Sequence, residues 1–175
     1  MKHEYIIKGN NIQLRPLDEN DLKTLMDWRN KDEIREWFLN NKVITKEEQI
    51  KWFEKYIANS DDIMFIIEYS KFNVPVGAVA LYNIDRKNDM AEFGRLMIGE
   101  EIARGRYIGY EATKLICDFA FSRLGMSEVY LTVLADNYAA IKTYEKVGFK
   151  VICKYIHKYK EVLKMNIIKN NMVRL

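Results

Sequence analysis

Apolar and polar positions change period several times along the chain, and each change predicts an element. From Asn11 to Arg15 they alternate, with Ile12 and Leu14 on one side and Gln13 and Arg15 on the other, a short strand that Pro16 ends. Helical spacing follows: Leu22, Leu25, Met26 and Arg29 share a face behind Asp18 or Asn20 as cap, and Ile34, Trp37 and Phe38 predict a second short helix. Thr45 with Glu48 forms a capping box that opens a third helix, on which Ile50, Phe53, Tyr56 and Ile57 share a face. From Asp62 the period falls to two, giving strands over Ile63 to Tyr69, Val74 to Tyr82 and Met90 to Ile98, an antiparallel meander. A glycine-bearing loop, Arg104 to Gly109, then enters a helix with Ala112, Leu115, Ile116, Phe119 and Ala120 on one stripe and Gly125 as its stop. Val129 to Leu134 predicts a buried strand, and Asn137 or Asp136 starts a helix carrying Ala140, Ile141, Tyr144 and Val147 that ends at Gly148. Phe149 to Tyr155 and Tyr159 to Ile168 close the chain as a hairpin. The fold class is α/β in the mixed α+β sense, a mixed sheet with helices on both faces.

Composition narrows the class of protein. Of 175 residues 49% are apolar and 30% charged, with eight glycines and two prolines, which suits a folded chain rather than a disordered or fibrous one. No linker or repeat divides it, so residues 1–175 are expected to form a single domain. Cys117 and Cys153 lack a neighbouring cysteine at metal-ligand spacing, and no metal site is expected. No signal-peptide core or run of 18 apolar residues is present, so the expected location is the cytoplasm, with no membrane contact. Net charge is +3, but Lys150 to Leu175 holds seven Lys/Arg against Glu161. That basic end suits either phosphate-rich ligands or a solvated hairpin face.

Two stretches carry chemistry. In Arg104-Gly105-Arg106-Tyr107-Ile108-Gly109 a strand passes through small residues into a helix, which leaves backbone N–H groups unpaired at the positive end of the helix dipole. A diphosphate fits such a place, and Arg104 and Arg106 add charge. Asn137 and Tyr144 stand two turns apart on nearly one face of the later helix and can meet one ligand. The same residue types also suit a helix cap and a packed core aromatic.

Taken together, the loop and the Asn137 to Phe149 block resemble the GNAT superfamily of acetyl-CoA-dependent N-acetyltransferases over Asn11 to Ile168. The resemblance implies a GNAT fold, a mostly antiparallel sheet with a splayed central strand pair. It implies that Leu96, Met97 and Ile98 offer main-chain groups to the pantetheine of acetyl-CoA, that the amides of Gly105, Tyr107, Ile108 and Gly109 hold the pyrophosphate with Arg104 and Arg106, and that Asn137 contacts the cofactor arm with Tyr144 by the sulfur. Tyr107 stands where the family pattern has glycine, and a side chain there is expected to crowd the pyrophosphate. Within the superfamily, Asp27-Trp28-Arg29-Asn30, Ile34-Arg35-Glu36-Trp37-Phe38 and Ala91-Glu92-Phe93-Gly94 look like the acetyltransferases of nucleotide-linked 4-amino sugars in pseudaminic-acid-type pathways. By that resemblance Arg29 meets a nucleotide diphosphate, and Trp37 and Phe38 wall the sugar or base. Alternatively these aromatics are core and Arg29 pairs with Asp27 or Glu33.

The chemistry expected is direct attack of an amine on the thioester in a ternary complex, with Glu92 resembling the family's general base and Tyr144 as acid, since a phenol is protonated at neutral pH. His157 sits near the final turn and borders either the acceptor site or solvent. Other acceptors stay open, above all a protein N-terminal amine as in ribosomal-protein acetyltransferases. A basic nucleic-acid-binding module is the non-enzymatic alternative, against which the lysines lack a stacking motif. The expected partner is therefore a small-molecule amine rather than nucleic acid, with the protein a monomer or homodimer.

Overall fold

The computed structural model describes residues 2–169, along which the elements are β1 (Ile7–Lys8), β2 (Ile12–Pro16), α1 (Leu22–Asn30), α2 (Asp32–Arg35), α3 (Lys46–Ala58), β3 (Ile63–Tyr69), β4 (Val74–Asp85), β5 (Met90–Ile98), α4 (Ile108–Ser122), β6 (Glu128–Leu134), α5 (Tyr138–Val147), β7 (Lys150–His157) and β8 (Lys160–Ile168). One eight-stranded sheet runs in the order β1-β2-β3-β4-β5-β6-β8-β7. Every neighbouring pair is antiparallel except β5 and β6, which are parallel and pair only at Met90, Ala91 and Glu92 against Glu128, Val129 and Tyr130. Past that point the two strands separate.

A bulge helps to turn β5 aside. Ala78 pairs with Met97 and Ala80 with Gly94, so Arg95 and Leu96 together face one residue of β4, and Arg95 takes up the left-handed backbone at φ +51. An extra residue of this kind bends its strand and re-aims the side chains beyond it.

Two apolar layers hold the helices. On one side Phe65, Phe93, Ile116, Phe119 and Val129 form a core with α4 and α5; on the other Leu25, Trp28, Ile34, Tyr56, Met64 and Ile66 form a smaller one under α1 and α3. Trp28 is fixed closely: its ring lies where a Cβ on Gly99 would stand, and its indole N–H donates to Glu100 at 2.6 Å. The Thr45–Glu48 capping box forms as predicted, and Gly148 ends α5 in the left-handed region at φ +117.

Two expectations change. The buried face of α3 is Gln49, Trp52, Phe53 and Tyr56, whereas Ile50 and Ile57 are exposed. The short helix after α1 is a single turn that stops at Arg35, so Trp37 and Phe38 follow it in a loop. In the basic end, Lys154 pairs with Glu161 at 2.6 Å and Lys164 lies over the Tyr130 ring, a solvated hairpin arrangement. Arg174 of that segment lies outside the described residues. Among the described residues no helix is long and apolar enough to cross a membrane.

Candidate active site

Where β5 and β6 part, a cleft of about 680 Å³ opens between them. Glu92 is the last residue of β5 paired with β6 and stands at the fork; Leu96, Met97 and Ile98 continue along one wall, and Leu131 to Leu134 along the other. Asn137 and Tyr144 both line it. Asn137 is at once a ligand candidate and the cap of α5, because its side-chain oxygen accepts from the Ala140 amide at 3.2 Å. Tyr144 packs edge-on against Phe93, with ring centroids 5.6 Å apart, and burial pushes its phenol up, so it stays protonated throughout the neutral range.

The loop before α4 stands beside the cleft. Tyr107 is the N-cap residue, in the left-handed region at φ +59, and gives no side-chain cap, so the first-turn amides are left for another acceptor. That φ is one glycine adopts without cost, and here a tyrosine holds it with its ring 71% exposed and 5.4 Å from Lys146 Nζ. The loop's shape survives the missing glycine. A Cβ on Gly105 would meet nothing within 4 Å, and one on Gly109 only a Leu96 methyl, so the approach to the helix end is open. Of the loop residues only Arg104 lines the cleft itself. Arg106 Nε donates to the Ile102 carbonyl at 2.8 Å, and the Ile108 side chain is buried in the core, leaving its amide as the group that can face a ligand.

A cleft between splayed strands with an uncapped, dipole-positive helix end beside it fits a long molecule ending in phosphates. The family model described as an acetyltransferase (GNAT) domain matches residues 11–150. The chain belongs to the GNAT acetyltransferases. It is an acetyl-CoA-dependent N-acetyltransferase with acetyl-CoA as co-substrate, and its substrate is an amine. It is 26% identical over 151 residues to a spermidine N(1)-acetyltransferase of Escherichia coli, covering 86% of this chain and 79% of that one. It is 27% identical over 159 residues to an N-acetyltransferase 9-like protein of Caenorhabditis briggsae, covering 85% and 79%. The crystal structure of spermidine N-acetyltransferase from Vibrio cholerae in complex with CoA and spermine shares the fold, with a TM-score of 0.84 at 22% identity over 93% of this chain and 98% of that one.

Beside this GNAT cleft a second cavity, of about 440 Å³, lies under α3. Arg29, Phe38, Arg95 and Met97 line both spaces. Arg29 pairs with neither Asp27, which binds Lys23, nor Glu33, which accepts from Arg104. Its guanidinium is buried, lies 3.9 Å from the Phe38 ring centre and donates one Nη to the Asn40 carbonyl, while the other Nη has no hydrogen-bond partner. Trp37 and Phe38 line the cleft, Trp37 half-exposed and Phe38 also packed against the smaller core, of which Trp28 is a buried member. His157 ends the outer strand β7 and is not among the residues lining either space.

Sequence reasoning assigns no role to the side chains of Tyr82, Asn83 and Arg95. Tyr82 pairs with Glu92 across β4 and β5, and its hydroxyl donates to one Glu92 oxygen at 3.0 Å; Asn83 Nδ2 donates to the other at 2.7 Å. Alternation would place Tyr82 on a face, but the irregular register between Tyr82 and Asp85 hides its partner.

Proposed function

We propose that this GNAT enzyme, with residues 1–175 as one domain, acetylates the amino group of a nucleotide-linked amino sugar. The observation that carries the reading is Arg29: a buried guanidinium without a carboxylate partner among the described residues, at the junction of the cleft and the cavity under α3. A buried unpaired cation is costly, and an anionic ligand offsets that cost when it binds. Of the other charged residues lining the cavity, Lys42 pairs with Glu48 and Arg95 with Asp62, so Arg29 is the cation left for a ligand, which favours a diphosphate over a polycation. A polyamine is the second reading, favoured by the name of the E. coli relative.

In the proposed reaction Glu92, through water, takes a proton from the acceptor ammonium. The neutral amine then attacks the thioester carbonyl, forming the C–N bond; as the C–S bond breaks the thiolate takes the Tyr144 proton, and the surplus proton on the acylated nitrogen restores the Tyr144 phenol. Arg104, Arg106 and the amides of Gly105, Tyr107, Ile108 and Gly109 would hold the pyrophosphate, and Leu96, Met97, Ile98 and Asn137 the arm.

The test is thiol release from acetyl-CoA with a nucleotide-linked 4-amino sugar, the free amino sugar, spermidine and an N-terminal peptide. The nucleotide-linked sugar should give the highest kcat/KM, and Arg29→Lys should raise its KM about tenfold without changing that of acetyl-CoA, because a point charge does not reproduce the guanidinium fork. Preference for spermidine over both sugars, with Arg29→Lys silent, overturns the acceptor assignment and leaves acetyl transfer standing.

A further inference from the structure

Both oxygens of Glu92 are engaged, one by Tyr82 and one by Asn83. Each donor is delivered by unusual backbone or packing. Asn83 lies in the left-handed region at φ +49, where the β4–β5 register breaks. Tyr82 is clamped from the side: Arg95, itself at φ +51 on the β5 bulge, lays its guanidinium over the Tyr82 ring at 4.5 Å. Arg95 is held in turn by Asp62 at 2.7 Å, an ion pair whose acidic side chain is only 7% exposed. Non-glycine residues in left-handed conformations cost free energy, and here Asn83 meets the Glu92 carboxylate directly while Arg95 meets the Tyr82 ring that donates to it. Tyr82 also lines the cleft.

We propose that Tyr82 is a positioning residue for Glu92, set by the Asp62–Arg95 frame, and that it fixes the carboxylate at the fork of the cleft so that one orientation faces the acceptor amine. The proposal rests on Glu92 as the general base. Burial, and then the Glu92 charge, push the Tyr82 phenol up, so it remains a donor wherever Glu92 is ionised. The ring also fills the space beside Gly94, where a Cβ would lie 2.6 Å from the hydroxyl, so the hydroxyl has little room to swing away.

A double-variant cycle in the full-length enzyme tests it. Thiol release from acetyl-CoA would be measured for the wild type, Tyr82→Phe, Glu92→Gln and the double variant, with spermidine and a nucleotide-linked 4-amino sugar supplied in parallel as acceptors. Tyr82→Phe should lower kcat about tenfold, the size of one hydrogen bond to a charged group, with both KM values within twofold of wild type and the thermal midpoint retained. On the Glu92→Gln background it should have no further effect, because its consequence passes through the carboxylate. If Glu92→Gln loses about 100-fold but Tyr82→Phe is silent, or its factor multiplies unchanged on the Glu92→Gln background, or it acts through the KM of acetyl-CoA, the positioning role is overturned and the base remains. If Glu92→Gln itself leaves kcat unchanged, the base assignment fails first, and the positioning role with it.

Discussion

Arg104 Nη2 donates to the Glu33 carboxylate at 3.0 Å, tying the loop before α4 to the helix α2 across the cleft that both residues line. Both side chains are partly exposed, so the pair is weak and can exchange for a phosphate. The Glu33 backbone N–H, and then Arg104, hold its carboxyl below the usual range, so the tie persists into mildly acidic solution. Glu33→Gln should free Arg104 and tighten CoA binding about two- to threefold by calorimetry, whereas Arg104→Ala should weaken it about tenfold. Equal affinities in all three proteins would exclude an Arg104–phosphate contact.

Tyr144→Phe removes only a hydroxyl from a ring packed against Phe93 and Phe149. Turnover should fall by about 10²–10⁴ with CoA affinity and thermal midpoint held, as expected for loss of a general acid. A drop in midpoint with turnover intact would make Tyr144 a packing residue.

Tyr107→Gly tests the loop. Relief of the left-handed conformation is worth roughly 1–2 kcal/mol, against about 0.5–1 kcal/mol for the added freedom of glycine in the unfolded chain. The net gain, about 0–1.5 kcal/mol, should hold the midpoint or raise it by up to about 6 °C. CoA affinity should stay the same or improve; a clear weakening in calorimetry would mean the exposed ring itself holds the ligand.

Close to the N-terminus, His3 packs against Phe65 at 4.8 Å between ring centres, with Nε2 at 3.1 Å from the Met64 carbonyl and a buried Nδ1 that has no partner. Burial, the largest influence, lowers its pKa. The unfolded chain therefore takes up the proton first, and the stability His3 contributes is complete above about pH 6.5 and is lost as pH falls below it. Between pH 7.5 and 5.5 the wild-type midpoint should fall a few °C further than that of His3→Gln, which keeps a donor for Met64 but does not titrate. Parallel pH curves would remove His3 from the acid response.

Much of this architecture is legible from local chemistry. The Thr45 box, the Asn137 cap, the stop at Gly148 and the closing hairpin depend on residues within a few positions of one another. The fork does not: it needs Glu92 and Tyr130, 38 positions apart, to be the last pair of a parallel register. The face of α3 escapes local reading for a related reason, since its roof over the cavity buries the polar Gln49 where apolar periodicity points to Ile50. Within the cleft, Asn137 and Tyr144 follow from helical spacing, while the Tyr82–Glu92 contact requires a register that a bulge on one side and an irregular turn on the other obscure.

With three residue pairs as its only β-ladder across the middle, the sheet is nearly severed into a five-stranded and a three-stranded half. Beyond Glu92 and Tyr130 the facing edges of the two halves carry main-chain donors and acceptors that no strand among the described residues answers. An extended guest with amide groups of its own can stand in that gap as a surrogate strand. A guest seated there would join the two halves of the sheet, and occupancy and cohesion would then become one property.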